Sequence, residues 1–311
     1  MASRLPRFKR APTAAPMRLT ERDRRIIQLI YRHRFLRSSQ IVALMGGSPQ
    51  RLLRRLKLLY HHGYLERPRC QIDSYYRPGS HHIIYGLGNR SLAFLKQELG
   101  EDFREVSWGE KNRGVGRIFL EHALLVSDVM VSLELACRKH GGIRLLYEDQ
   151  LALRSERQPF QWRVKAQGGI RLGVIPDRIF ALEYRDQTGR PERVHFFLEA
   201  DRGTMPVIRN GLTQTSFYRK LIAYEATWTQ KIHQRHLGIH RFRVLTVTTV
   251  TARVKSLLEA CSQLKRGHGL FLFADRTVLE QDPFSAVWRR GKTSETARIL
   301  DLPKLASGPV S

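Results

Sequence analysis

Hydrophobic residues recur along this chain first with a helical period and later with a strand period, and the change divides it into two parts. Behind a Thr20 cap with Asp23 three residues on, Ile26, Ile27, Leu29 and Ile30 predict a helix up to about His33. A second helix is predicted over Ser38 to Met45, stopped by Gly46-Gly47. Ser48-Pro49 opens a third, whose buried stripe is Leu52, Leu56 and Leu59 and which ends at Gly63. Short strands follow at Tyr64 to Arg67 and Ile83 to Leu87, joined by a basic loop with Tyr75, Tyr76, Arg77 and His81. Three helices and a two-stranded ribbon have the layout of a winged helix-turn-helix. A helix from Leu92 to Leu99 closes this unit.

Gly100 to Gly116 is polar and glycine-bearing, the pattern of a linker. Next comes a long helix from Arg117 to Lys139, with Phe119, His122, Val126, Val129, Leu133 and Ala136 along one stripe. Strands are predicted near Ile143 to Tyr147 and Gln161 to Lys165, then two alternating strands between Val174 and Thr204. A helix from Pro206 to His233, a strand from His240 to Thr249, a helix from Ala252 to Leu264 and a strand from Leu270 to Ala274 complete the order. The expected organisation is a disordered basic arm (1–18), a winged helix-turn-helix domain (19–100), a linker (101–116), a second domain (117–290) and a flexible tail (291–311).

The two alternating strands carry the sharpest chemistry. Asp177 and Glu199 each lie 11 residues from Thr188, so a hairpin centred there sets them opposite each other. The same register pairs Phe180 with Phe196, Ile179 with Phe197, Leu182 with Val194 and Glu183 with Arg193. A slip of one residue would exchange the faces and lose these partners. Asp201 leaves the strand on the face of Glu199, and three acids on one patch repel one another unless a cation or proton sits among them.

Charge changes the picture further. The 311 residues carry a formal net charge of +26, and residues 1–69 hold 17 Lys and Arg against 3 Asp and Glu. Nucleic acid is therefore the expected partner, ahead of an anionic membrane. The outward face of the third helix, with Gln50, Arg51, Arg54, Arg55 and Lys57, suits a DNA major groove, with Arg51, Arg54 and Arg55 supplying most of the contact. Arg77 and His81 would touch a neighbouring groove or phosphates. The plainer alternatives are a solvated basic face, or a winged helix used for protein contact. Cys70, Cys137 and Cys261 are widely spaced, which fits a reducing cytoplasm and no disulfide framework. His61-His62 and His81-His82 around Cys70 match no standard zinc spacing, and no phosphate loop, nucleophile elbow or H-E-x-x-H occurs. No apolar run reaches membrane-span length. The basic first residues lack the hydrophobic segment of a secretory signal; an arginine-rich transit peptide is the alternative to a disordered arm.

The order helix, strands, carboxylate hairpin, helix, strand, helix, strand resembles the PD-(D/E)xK nuclease-like core, on Pro176-Asp177 and Glu199-Ala200-Asp201. The fold class expected is thus mixed α/β, a winged helix-turn-helix followed by a restriction-endonuclease-like αβββαβ core. That resemblance implies Mg²⁺ or Mn²⁺ on Asp177 and Glu199, with Asp201 completing the shell, and phosphodiester hydrolysis as the chemistry. The motif's lysine is replaced by Asp201, and in related enzymes the following helix can supply it, which points to Lys220 as the charge-stabilising group. The other reading is that the acids only pair with arginines such as Arg178, Arg202 and Arg219. His122 divides in the same way between a core histidine and a residue reaching the acids, as Glu121 or Glu134 would.

Taken together, the L-T-x-x-D start at Leu19, the winged helix ending in Gly63-Tyr64-Leu65, Glu121-His122, Ile175-Pro176-Asp177 and Leu198 to Thr204 resemble the replication-relaxation family of plasmid and mobile-element proteins, over roughly Leu19 to Trp288. This implies a bacterial cytoplasmic protein acting on double-stranded DNA. Replication or mobilisation proteins and a second copy of the chain are further candidate partners, and no membrane partner is expected.

Overall fold

In the computed structural model, which describes residues 7–11, 16–72, 82–99, 108–151, 161–186, 188–291 and 295–300, Thr20 and Asp23 form a reciprocal capping box. They start α1 (Glu21–His33), whose Ile26, Ile27 and Ile30 are fully buried. Arg34 ends it at φ 67, turning the chain into a short strand, β1 (Leu36–Arg37). Then come α2 (Ser38–Met45) and α3 (Pro49–His61), the latter capped by Ser48 with proline at its first turn. Gly63, at φ 78, reverses the chain into β2 (Leu65–Glu66), which pairs with β3 (Ile84–Leu87). The ribbon has a third member that periodicity misses. β1 pairs antiparallel with β3 through Leu36 and Tyr85, giving the order β1-β3-β2. The loop residues Tyr75, Tyr76, Arg77 and His81 lie outside the described residues.

Helices α4 (Asn89–Leu99), α5 (Trp108–Arg113) and α6 (Arg117–His140) follow. Part of the expected linker is therefore α5, tied down because Asn112 Nδ2 donates to Leu87 O at 2.9 Å and Arg113 pairs with buried Glu66 at 3.0 Å. Part of the expected disordered arm is likewise ordered. Arg10 pairs with Glu66, and its Nε donates to Tyr60 O at 3.1 Å. The chain forms two compact units that divide within α6, at Val131/Ser132. In the first, Ser127 Oγ donates to Phe35 O at 2.8 Å, and Leu120, Ala123 and Leu124 pack with Phe35. Of the expected stripe on α6, Val126, Val129, Leu133 and Ala136 are buried, whereas Phe119 is 40% exposed under the Arg34 guanidinium and His122 is half-buried.

The second unit is built on a mixed seven-stranded sheet, β12-β11-β10-β9-β8-β7-β4. Its strands are β4 (Arg144–Tyr147), β7 (Arg178–Arg185), β8 (Pro191–Asp201), β9 (Phe242–Thr248), β10 (Phe271–Asp275), β11 (Trp288–Arg290) and β12 (Thr296–Ala297). β8, β9 and β10 run parallel, linked by α7 (Phe217–Thr229) with the short α8 (Ile232–Arg235), and by α9 (Thr251–Ser262). Separately, β5 (Trp162–Lys165) and β6 (Arg171–Val174) form an antiparallel pair. The core gathers Trp162, Phe197, Leu221, Tyr224, Leu257 and Phe271. The β7–β8 register is the one expected: Phe180 meets Phe196, Ile179 meets Phe197, Leu182 meets Val194 and Glu183 meets Arg193.

Two expectations here need correcting. The helix placed over Pro206 to His233 begins only at Phe217, because Ser216 is the residue whose side chain caps it, accepting from Arg219 N at 3.3 Å. The tail placed at 291–311 contributes β12, and Ile299 and Leu300 are buried. Gly291, next to β11, lies so close to α9 that a Cβ there would sit 2.4 Å from Cys261 Sγ and 3.0 Å from His268 O. Gly291→Ala is therefore expected to cost about 1 to 3 kcal/mol, read as a lower urea midpoint. An unshifted midpoint would show that the C-terminal strands are not packed this way.

Candidate functional site

β8 is a central strand between β7 and β9, so its C-terminal half is covered on both faces and Phe196 to Asp201 are buried throughout. Alternation puts Phe197, Glu199 and Asp201 on one face, where Phe197 stacks on Tyr224 of α7 with ring centroids 5.7 Å apart. One step further, Glu199 meets that helix. Lys220 Nζ lies 2.5 Å from Glu199 Oε2, and Tyr224 Oη donates to Oε1 at 2.5 Å. Lys220 and Tyr224 are four apart and so share a helix face. Lys220 thus comes to the acid from the following helix. Tyr224, to which sequence reading assigns no role, was marked only by that spacing.

Asp177 sits at the start of β7. Its N–H donates to Leu198 O at 3.0 Å, and its Oδ2 accepts from Ala200 N at 2.7 Å, which anchors the carboxylate beside Glu199. Burial pushes the Glu199 carboxyl up to about 7, against the pull of Lys220 and with a further push from the Asp177 charge. Burial disfavours the Lys220 ammonium, but Glu199 and Asp177 outweigh it and hold the lysine above its ordinary value. The Tyr224 hydroxyl is driven well up by burial and by Glu199, so it stays a donor.

Asp201 has other work. Arg253 of α9 grips it with Nε at 2.6 Å and Nη2 at 3.2 Å, while Gly203 N donates to it at 3.1 Å. The arginine that holds it is therefore neither Arg178, Arg202 nor Arg219, and no local pattern pointed to Arg253. Both Asp201 oxygens are thus engaged within the protein. Asp177 and Glu199 carry hard oxygen donors of the kind Mg²⁺ or Mn²⁺ takes, and both Glu199 oxygens are engaged, by Lys220 and Tyr224. Among the described residues no group of three or more His, Cys, Asp or Glu is gathered to hold a metal ion. Glu121 pairs with Arg117, and Glu134 with Arg138 and Tyr147.

On α3, Leu52, Leu56 and Leu59 face inward while Gln50, Arg51 and Arg54 are exposed and Lys57 is half-buried. Arg55 is a correction to the expected DNA face. Its Nε and Nη2 clamp the buried Asp23 of α1 at 2.7 and 2.6 Å, and Nη2 also reaches Arg18 O. Arg77 lies outside the described residues. Among the described residues, no helix is long and apolar enough to cross a membrane.

The family model described as Replication-relaxation matches residues 27–242, more than half of the chain, from α1 to the first residue of β9. No curated protein and no solved structure matches.

Proposed function

The chain belongs to the replication-relaxation family, and on that premise we propose that it binds duplex DNA through α3 during plasmid or mobile-element replication or relaxation. The observation that carries this is the outer face of α3. Gln50, Arg51 and Arg54 stand exposed with Lys57 beside them, on a helix fixed from below by three buried leucines and by the Arg55–Asp23 clamp. We read α2, α3 and the β2–β3 ribbon as a winged helix-turn-helix, with the α3 cations on phosphates and Gln50 toward base edges. The second unit then serves assembly or regulation on the bound DNA. Replacing Arg51, Arg54 and Lys57 together by alanine is expected to weaken duplex binding about tenfold or more at about 100 mM salt. The salt slope should fall by about 0.9 for each phosphate that is no longer neutralised. Fluorescence anisotropy across a salt series reads both quantities, and unchanged affinity and slope would remove α3 from the interface.

A second reading is favoured by one observation, the placement of Lys220 on Glu199 beside Asp177. We read these as the parts of a PD-(D/E)xK-like nuclease site, with the lysine delivered from α7. Mg²⁺ or Mn²⁺ bound there would supply Lewis-acid polarisation of a phosphodiester. Asp177 and Glu199 would present the oxygen donors, and Lys220, displaced from Glu199, would face the developing negative charge. Supercoiled plasmid incubated with either ion separates the readings. Nicking that disappears in both Asp177→Ala and Glu199→Ala supports the nuclease, whereas tight binding without cleavage supports the regulator.

A further inference from the structure

Beneath the C-terminal end of α7, the second unit has a cavity of about 690 Å³ whose lining includes Arg163, Lys165, Arg171, Lys231 and Arg235. All five cations are exposed, and none of them makes an ion pair among the described residues. The pocket is built rather than incidental. Trp162, Val164, Leu172 and Val174 bury the inner face of the β5–β6 pair in the core, and Trp162 Nε1 donates to Thr227 Oγ1 of α7 at 2.8 Å. Gln230 Nε2 donates to Lys165 O at 2.6 Å, tying the helix end to the strand. The outer face of the pair is thereby held against the α7–α8 turn.

Two features of this pocket break local rules. Lys165 and Arg171 are direct cross-strand partners in the β5–β6 register, so two like charges stand opposite each other with no described acid between them. Lys231 adopts a left-handed φ of 54, a conformation that a residue with a side chain takes at some cost. Uncompensated violations of this kind mark places where function has overruled stability. An anion settling among the five side chains would relieve the repulsion. The cations also come from two sides, Arg163 and Lys165 two positions apart on one strand face, and Lys231 just before α8 with Arg235 at its last position. That spread suits a chain of repeating charges better than one small ion.

We propose that this pocket is a second DNA-contact site, binding the phosphodiester backbone independently of α3. Phosphates lie against the five cations, with the half-buried Ile232 in the lining. The test uses the full chain and a labelled duplex, over about 50 to 200 mM salt. Lys165→Ala with Arg171→Ala, and separately Lys231→Ala with Arg235→Ala, should each weaken binding severalfold and lower the magnitude of the salt slope by about 1 to 2. Wild-type affinity and slope in both double variants would overturn the proposal and leave the α3 reading intact. The reverse pattern, with weaker binding here and no change in the α3 variant, would remove α3 and leave this site standing. Lys165→Glu guards against misfolding, because it turns the like-charge pair into an opposite-charge one. It should melt at or above wild type while binding DNA more weakly, and a lower melting temperature would overturn the repulsion argument. A nucleoside triphosphate that competes as well as an oligonucleotide of equal phosphate concentration would replace the DNA backbone with a free nucleotide.

Discussion

Replacing Asp23 by alanine is expected to destabilise the first unit by about 3 to 5 kcal/mol, the cost typical of breaking a buried ion pair from one side. Asp23 is fully buried and accepts four donors: Arg55 Nε at 2.7 Å, Arg55 Nη2 at 2.6 Å, and the Thr20 backbone and hydroxyl at 2.7 Å each. Its loss strands the inner nitrogens of Arg55 and opens the capping box of α1 together. The pH dependence follows from the same bonds. Burial alone would raise the Asp23 carboxyl, but the bonds from Arg55 and Thr20 outweigh it and hold the group below 3.8. A depressed folded pKa means that the contribution is present above the unfolded value and lost as pH falls through the folded one. Wild type and Asp23→Ala should therefore differ fully at pH 7 and converge in acid. Urea midpoints across that range decide the matter, and equal midpoints at neutral pH would show that the clamp contributes nothing. Because Arg55 is the partner, its own removal should act on stability before it acts on DNA.

That clamp marks where sequence reading stops. Spacing put Arg55 on the same surface as Arg51 and Arg54, correctly as a matter of helix geometry, but nothing local says that an acid 32 residues earlier closes on it. Asp201 and Arg253 repeat the lesson across 52 residues. Local chemistry was legible where it is local. Thr20 and Ser48-Pro49 start their helices because a cap and a proline act on the adjacent turn. The β7–β8 register was legible because a hairpin fixes every pair once its centre is known, and the cross-strand partners test that centre. β1, β6, β11 and β12 were not, since they exist by virtue of the strands they pair with. Of the candidate site, Asp177, Glu199 and Lys220 were readable from the hairpin and from a resemblance, while Tyr224, four residues beyond Lys220, was not. The pocket cations were not, because only the β5–β6 pairing brings Lys165 against Arg171.

Glu199→Gln should remove a contribution to stability that wild type loses as pH rises from about 4.5 to about 7. Burial lifts the folded value from 4.5 to about 7, so between these limits the folded chain holds a proton that the unfolded chain has released. The raised acid therefore stabilises fully below the unfolded value, and its contribution is lost as pH climbs through the folded one, over a range worth about 3 kcal/mol at 1.36 kcal/mol per unit. Lys220 is also held above its ordinary 10.5, which places its titration outside this window. Glutamine keeps the shape and still accepts from Tyr224, while His61 and His195, both lowered to about 4 by burial, make wild type and variant alike gain stability over this interval, so the difference between the two proteins is what reads Glu199. A wild-type minus variant difference in midpoint that does not fall from pH 5 to 7 would sink the assignment of Glu199 as the titrating group. The same proton bears on the nuclease reading, since a metal ion and a proton compete for one carboxylate. Metal-dependent nicking at this site should accordingly rise through about pH 7, whereas DNA binding by α3, which does not use this carboxylate, should not.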